Sequence, residues 1–338
     1  MLTPAFNILI GGQAGQGLVT IGQILAKSLV RAGYFIVVTQ SYQSRIRGGH
    51  NSFAIRVSQG EIAAPSEKVD MLLALDADSV TIEKASLASD GVVLVDASLR
   101  VDLTNLNALS VPYGHFASQG SANIAALGTA ACLIGLDREI VSQTISEFFA
   151  KHPTSLEENL RALEKSYEWA ASQTTSVSKL THISQHTKRM TINGNEAIAL
   201  GAISAGMKFC AFYPMTPATS ISTTLAGHAK KMGLVIEQAE DEIAAINMAL
   251  GASFCGTPSM TATSGGGFAL MTEGVSLAAM TETPIVVVVS QRPGPATSMP
   301  TRTEQADIEF VLHSGHGEFP RAILAPGTAE ECFYLTRK

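Results

Sequence analysis

A short apolar run at residues 6–10 passes directly into Gly11-Gly12-Gln13-Ala14-Gly15-Gln16-Gly17. Leu18, Ile21, Ile24, Leu25, Leu29 and Val30 then recur at helical spacing, and Gly33 can end that helix before a second apolar run at 35–39. Strand, glycine-rich turn, amphipathic helix and strand, in that order, open an α/β sheet and place the turn at a strand end. Further strands are expected at 52–57, 71–75 and 91–96, with helices at 123–133, 139–149 and 155–171. Residues 1–171 therefore read as one doubly wound domain with a parallel opening.

Residues 172–190 begin Ser-Gln-Thr-Thr-Ser-Val-Ser and read as a linker, because a polar Ser/Thr run offers little to pack. A second α/β pattern occupies residues 191–338. It predicts helices at 196–205, 218–231 and 241–252, and strands at 209–213, 235–238, 260–263, 285–289 and 321–325. The strand at 209–213 ends in Pro214-Met215-Thr216-Pro217, and the one at 260–263 opens onto Ser264-Gly265-Gly266-Gly267, with a helix from Ala269. Fold class is thus α/β, with two doubly wound domains. A last helical pattern begins at residue 329 and runs into the chain end.

Composition narrows the function. Hydrophobic residues are 46% and charged residues 15% of the chain, enough apolar material to exclude global disorder. The net charge of −6 provides no basic surplus for a phosphate backbone, so nucleic acid is not an expected partner. Cys132, Cys210, Cys255 and Cys332 are scattered without a CxxC pair, so no iron–sulfur cluster, zinc site or disulfide framework is expected from this chain. No run is long and apolar enough to cross a membrane, no signal peptide is evident, and a cytoplasmic location is expected.

The glycine turn at 11–17 suits an anion, since backbone N–H groups at a helix start bind phosphate. Its G-G-x-x-G-x-G spacing is not the dinucleotide G-x-G-x-x-G, and the next strand ends in Thr39-Gln40-Ser41 without the acidic residue an NAD ribose needs. No Gly-Lys-Ser/Thr follows, which excludes a Walker A loop. Gly12, Gly15 and Gly17 are the candidate cradle. Arg47, in Ser44-Arg45-Ile46-Arg47-Gly48-Gly49-His50, is a candidate clamp for an anionic ligand.

These two stretches, GGQAGQG and SYQSRIRGGHNSFAIRVS, resemble the gamma domain of 2-oxoacid:acceptor (ferredoxin) oxidoreductases. The later stretches NGNEAIALGAISAG, FYPMTPATSI, EQAEDEIAAINMALGAS, TATSGGGFALMTEG, QRPGPATSMPTRTEQADI and HGEFPRAILAPG resemble, in family order, the N-terminal part of the alpha subunit. The resemblance implies a gamma-type Rossmann-like domain (1–171), a linker (172–190) and an alpha-type thiamine-diphosphate, pyrimidine-side domain (191–338), with the C-terminal part of alpha lying outside this chain. It implies thiamine-dependent oxidative decarboxylation of a 2-oxoacid to acyl-CoA, with electrons passed to ferredoxin. No Gly-Asp-Gly motif for a Mg²⁺–diphosphate site is present, so Mg²⁺ and the iron–sulfur cluster are expected in a beta-type partner. A non-catalytic assembly protein and an indolepyruvate oxidoreductase subunit are the alternatives.

By the same resemblance Glu242 is the catalytic carboxylate beside the cofactor's aminopyrimidine, with Glu240 and Asp241 as solvated neighbours. The family's usual Tyr-Pro-Ile-Thr-Pro reads Tyr213-Pro214-Met215-Thr216-Pro217 here, a mild hydrophobic change. Tyr213 and Pro214 are expected to meet the cofactor, and Thr216 to touch the substrate or to cap the following helix. Arg292 and Arg302 are candidates for the 2-oxoacid carboxylate, which a guanidinium can hold with two parallel hydrogen bonds. Ser264, Gly265 and Gly266 are expected to let the backbone approach the cofactor. His313 and His316 are read as structural, because the glycines between and after them spoil a one-face metal arrangement.

Overall fold

The computed structural model describes residues 5–42, 48–118, 120–174, 177–184 and 187–338, and the chain divides into two compact units, Met1–Thr191 and Ile192–Lys338. The first unit contains β1 (Ala5–Ala14), α1 (Leu18–Arg31), β2 (Phe35–Ser41), β3 (Gly48–Ser58), β4 (Val69–Ala74), α2 (Ala77–Glu83), β5 (Leu87–Asp96), β6 (Asn107–Val111), α3 (Tyr113–Phe116), α4 (Ala122–Leu133), α5 (Arg138–Phe148) and α6 (Pro153–Ala171). Its strands lie in the order β2-β3-β1-β4-β5-β6. β1, β4, β5 and β6 are parallel, whereas β3 runs antiparallel to both β1 and β2.

The opening is therefore not the simple parallel pair read from the sequence. β3 sits between β1 and β2 because Phe53, Ile55 and Val57 are buried beneath α1, while β2 is only half-buried and ends in polar residues that suit an edge. Periodicity marks a strand but not its neighbour. β6, which was not expected, is the other edge: five residues whose Asn107 and Ser110 leave too weak an apolar signal.

Two apolar layers enclose this sheet. Ile8, Ile10, Phe53, Ile55 and Leu94 meet Ile21, Ile24, Leu25 and Leu29 of α1 on one face, and Leu9, Leu72, Val93 and Val95 meet Val80 of α2 on the other. A Cβ on Gly22 would lie 2.6 Å from the Phe53 ring, so this glycine sets how closely α1 approaches the sheet.

The segment read as a linker is fastened to the first unit. Val177, Leu180 and Ile183 pack against its core, and the Leu180 N–H donates to the Ile134 carbonyl at 2.9 Å. The Tyr34 hydroxyl donates to the Thr181 carbonyl at 2.9 Å, and Arg189 Nη1 donates to the Gly33 carbonyl at 2.8 Å. Three apolar residues at three-residue spacing are enough to anchor a stretch that is polar on average.

The second unit contains α7 (Gly194–Ser204), β7 (Phe209–Phe212), α8 (Thr219–Met232), β8 (Val235–Gln238), α9 (Glu242–Phe254), β9 (Ser259–Thr263), α10 (Gly265–Met280), β10 (Val286–Val289), α11 (Ile308–His313) and α12 (Ala329–Arg337). Its strands are all parallel, in the order β10-β9-β7-β8. Met207, Cys210, Ile221, Leu225 and Met260 fill one face, and Ala211, Ala245, Ile246, Phe268 and Met271 the other. Residues 321–325 form no strand. Arg321 Nη1 instead donates to the Val311 carbonyl at 2.8 Å, and its guanidinium lies 4.4 Å from the Phe319 ring centroid, so side-chain contacts hold the segment.

Candidate functional site

In an all-parallel sheet the strands' C-terminal ends open on one side, where chain reversals leave a crevice. β7 delivers Tyr213 to Pro217 there, β8 leads to Glu242, β9 leads to Ser264, and β10 leads to Gln291 and Arg292. Most of the second unit's candidate residues thus share one edge. Tyr213 and Pro214 are exposed on it, and Thr216 is half-buried.

Glu242 is only 3% exposed. It is the first residue of α9, fixed there because Asp241 Oδ1 accepts the Ala244 N–H at 2.7 Å and so caps the helix. Its Oε1 is buried with no hydrogen-bond partner. A buried orphan acceptor costs about 1–3 kcal/mol, which a ligand donor would recover. Glu240 and Asp241 are exposed.

The Ser264–Gly267 stretch is not a loop. α10 begins at Gly265, four residues earlier than expected, with Ser264 as its N-cap residue. At two of the three helical glycines, Gly265 and Gly267, neighbouring side chains leave no room for a Cβ. A Cβ on Gly267 would lie 2.1 Å from Thr263 Oγ1 and 2.7 Å from Glu242 Oε1, and one on Gly265 would lie 2.2 Å from Asp307 Oδ1. Ser264 is fully buried, its hydroxyl caps nothing, and Oγ has no partner.

Arg292 is 7% exposed and its Nη1 donates to the Thr216 carbonyl at 2.7 Å, while its Nε is buried without a partner. Two candidate residues 76 positions apart are thereby joined. Thr216 does not cap α8, whose N-cap residue is Ala218. Arg302 is exposed, and its backbone N–H closes a turn on Met299. His313 and His316 are exposed, and among the described residues no three His, Cys, Asp or Glu side chains are grouped to hold a metal ion.

Asp307 is a residue that the sequence reading passed over. It is half-buried, and its N–H donates to Gln291 Oε1 at 3.1 Å. Only the close approach to Gly265 reveals it, and nothing in the local pattern of Thr-Glu-Gln-Ala-Asp signals that approach.

In the first unit the glycine turn is shorter than expected. Gly11, Gly12 and Gln13 continue β1 in register with β3, and the register shifts before Ala14 ends the strand, so Gly12 is a strand residue. A Cβ there would lie 2.7 Å from Gln16 Oε1, which accepts the Gln13 N–H at 2.7 Å. Gly15 and Gly17 do form the turn, with φ of 95° and 78°, in the left-handed region that favours glycine. Gly17 is the N-cap position of α1 and supplies no side-chain cap, and Asn123 Nδ2 lies 2.1 Å from where its Cβ would be. The N-terminal turns of α1 and α4 therefore meet beside Gly17. Arg47 lies outside the described residues.

α9 and α10 expose large apolar side chains, Ile243 (50%), Met248 (44%), Leu270 (50%), Leu277 (44%) and Met280 (85%), beside exposed Asn247 and Glu273. No helix among the described residues is long and apolar enough to cross a membrane.

Comparison with known proteins now places the two units. Residues 7–169 match the family described as pyruvate ferredoxin/flavodoxin oxidoreductase. Residues 200–338 match the family described as pyruvate flavodoxin/ferredoxin oxidoreductase, thiamine diphosphate-binding. The chain is 31% identical to the alpha subunit of a 2-oxoacid:ferredoxin oxidoreductase of Sulfolobus sp over 96% of its own length and 60% of the relative's. It is 46% identical, over 43% of its length, to 2-oxoglutarate synthase subunit KorA of Archaeoglobus fulgidus, covering 42% of that protein. A solved 2-oxoglutarate:ferredoxin oxidoreductase from Magnetococcus marinus, with 2-oxoglutarate, coenzyme A and succinyl-CoA bound, superposes on all of this chain and 61% of that one, with a TM-score of 0.92 and 31% identity. The chain thus spans about three fifths of the length of the full-length relatives it matches. It joins a domain similar to the pyruvate ferredoxin/flavodoxin oxidoreductase family to one similar to its thiamine diphosphate-binding family, in the arrangement found in the alpha subunits of 2-oxoacid:ferredoxin oxidoreductases.

Proposed function

We propose that this chain is the gamma/alpha-type part of a 2-oxoacid:ferredoxin oxidoreductase that converts a 2-oxoacid and CoA to acyl-CoA and CO₂, with electrons passed to ferredoxin. The observation that carries this reading is the buried Glu242 carboxylate with its orphan Oε1, seated against the glycine turn of α10. The group fits: a buried carboxyl with an unpartnered oxygen that can share a proton with a ring nitrogen, beside a turn at which Gly266 has only the Ala296 carbonyl, at 3.6 Å, near its Cβ position. Thiamine diphosphate, when bound, supplies the carbanion equivalent that attacks the 2-oxo carbon.

The chain's own residues divide the remaining work. Glu242 holds and returns a proton at Oε1, a role worth about 10²–10⁴-fold in rate for a positioned acid or base. Arg292, pinned by the Thr216 carbonyl, keeps its remaining N–H groups for a carboxylate, and the Thr216 hydroxyl can donate to the substrate carbonyl. Arg302 is the second guanidinium assigned to the substrate. Tyr213, Pro214, Ser264, Gly265 and Gly266 line the cofactor's approach.

Gly15 and Gly17, at the start of α1, are assigned to a phosphate of CoA, supported by the two helix N-termini that meet there. Gly12 supports the turn from within β1, and Arg47 is assigned to the same anion from its sequence context. A beta-type partner completes the site, supplies Mg²⁺ and the iron–sulfur cluster, and covers the exposed apolar side chains of α9 and α10. The tandem-domain assignment, 1–171 and 191–338 with 172–190 between, belongs to the same reading, as does a cytoplasmic location.

The test is co-expression with a beta-type subunit, followed by a screen of 2-oxoacids for CoA-dependent reduction of a dye. Reduction with 2-oxoglutarate or another 2-oxoacid, dependent on both CoA and thiamine diphosphate, supports the reading. A stable, partnered complex that reduces nothing points to the non-catalytic alternative.

A further inference from the structure

Two carboxylates flank one turn of backbone in the second unit. Glu242 Oε1 lies 2.7 Å from the Cβ position of Gly267, and Asp307 Oδ1 lies 2.2 Å from that of Gly265. At about 100° per residue these positions are about 200° apart around α10, so the carboxylates sit on opposite sides of its first turn. Glu242 Oε1 and Asp307 Oδ2 are both buried without a hydrogen-bond partner, and neither carboxylate forms an ion pair among the described residues. The N-cap residue Ser264 is fully buried and its Oγ is equally unpartnered, so three orphan oxygens surround one helix start.

Charge decides what such a place can take. A bare helix N-terminus carries roughly half a positive charge and attracts phosphate. Here two carboxyl groups with unpartnered, buried oxygens stand against it, and such oxygens favour a cation or a hydrogen-bond donor over an anion. Glu242 is accounted for by the proton it handles. Asp307 has no such task, yet its N–H is held by Gln291 Oε1 at 3.1 Å and its carboxylate occupies space that Gly265 leaves open.

We propose that Asp307 is a specificity-determining residue that bars phosphate from the start of α10, so that this pocket takes the amino-bearing ring of thiamine diphosphate and not its diphosphate. The inference rests on the reading of the pocket as the cofactor site, and adds to it the residue that fixes which end of the cofactor enters.

The experiment follows the amide signals of Gly265, Gly266 and Gly267 in the ¹⁵N-labelled chain as inorganic pyrophosphate is added. The wild-type signals should stay still, whereas in Asp307→Asn they should move, with apparent affinity at least ten-fold above wild type. Asp307→Glu, which keeps the charge, should behave as wild type. If Asn disturbs folding, Asp307→Ser carries the same expectation. Wild-type signals that already respond to pyrophosphate, or a folded neutral variant that gains nothing, overturn the proposal. Thiamine, which has no phosphate, is titrated separately into the assembled complex by calorimetry. Failure of thiamine to bind there overturns the cofactor reading, and with it the orientation rule, even if the neutral variant gains pyrophosphate.

Discussion

Arg292 Nη1 donates to the backbone carbonyl of Thr216 at 2.7 Å, tying the segment after β10 to the turn after β7 across 76 residues of sequence. The bond uses the backbone of Thr216, so the hydroxyl stays available to a ligand, and it holds the guanidinium in an orientation chosen before any substrate arrives. Replacing Arg292 with Lys would keep a charge but lose the fixed fork. We expect Arg292→Lys to raise the KM for the 2-oxoacid ten-fold or more in the assembled enzyme while kcat changes less. Steady-state kinetics with KM and kcat affected equally would remove Arg292 from substrate binding.

Glu242→Gln should preserve size and burial and lose proton sharing. In the assembled enzyme we expect activity to fall by about 10²–10⁴-fold, with a matching slowdown of C2 proton exchange on the bound cofactor measured by NMR. The exposed neighbour Glu240, changed to Gln, should cost no more than a few-fold. Normal exchange in the Glu242 variant, or a larger defect at Glu240, would identify the wrong carboxylate.

Two glycine-to-alanine changes should move stability in opposite directions. A methyl at Gly267 would lie 2.1 Å from Thr263 Oγ1, so the site must give way, and overpacking of this kind costs about 1–3 kcal/mol. Gly227, exposed within α8, has nothing within 4 Å of its Cβ position, so Ala there should stabilise by about 0.5–1 kcal/mol. Thermal unfolding of the two variants against wild type decides; a stabilised Gly267→Ala would contradict the close approach.

At the start of α1, Gly15 has φ 95°, and Val there would be strained by about 1–2 kcal/mol or more as well as obstructing ligand approach. Gly15→Val should raise the CoA concentration needed for half-maximal rate and leave the 2-oxoacid KM close to wild type. An unchanged CoA requirement in a folded variant would make the turn purely structural.

The cysteines should differ sharply in reactivity. Burial pushes the Cys210 thiol up to about 12, and it raises Cys132 and Cys332 as well. A raised pKa removes thiolate, the reactive form, throughout the physiological range. Iodoacetamide at pH 8 should therefore label exposed Cys255 first and leave Cys210 unmodified in the folded chain, as read by peptide mass spectrometry. Early labelling of Cys210 would show that β7 opens readily.

Much of the fold was legible in the sequence because local signals sufficed for it. Short runs bounded by turn residues marked β4, β7, β8, β9 and β10 closely, and small-residue helical stretches marked α7 and α9, which the structure caps with Asn193 and Asp241. Glu242 could be picked out by its family context at the start of α9. The tertiary structure decided what depends on neighbours distant in the chain. β3 entered between β1 and β2 with Phe53, Ile55 and Val57 buried beneath α1, and no periodicity encodes which strands it pairs with. Residues 177–183 were tied down by three spaced apolar side chains in a polar average. Gly265 to Gly267 start α10 rather than a loop, and Thr263, Glu242 and Asp307 occupy the space where side chains on Gly265 and Gly267 would go. Asp307 itself stood invisible among polar neighbours, since a residue 42 positions from Gly265 can announce its contact only when the chain has folded, and the excluded volume of one carboxylate is what requires the glycine.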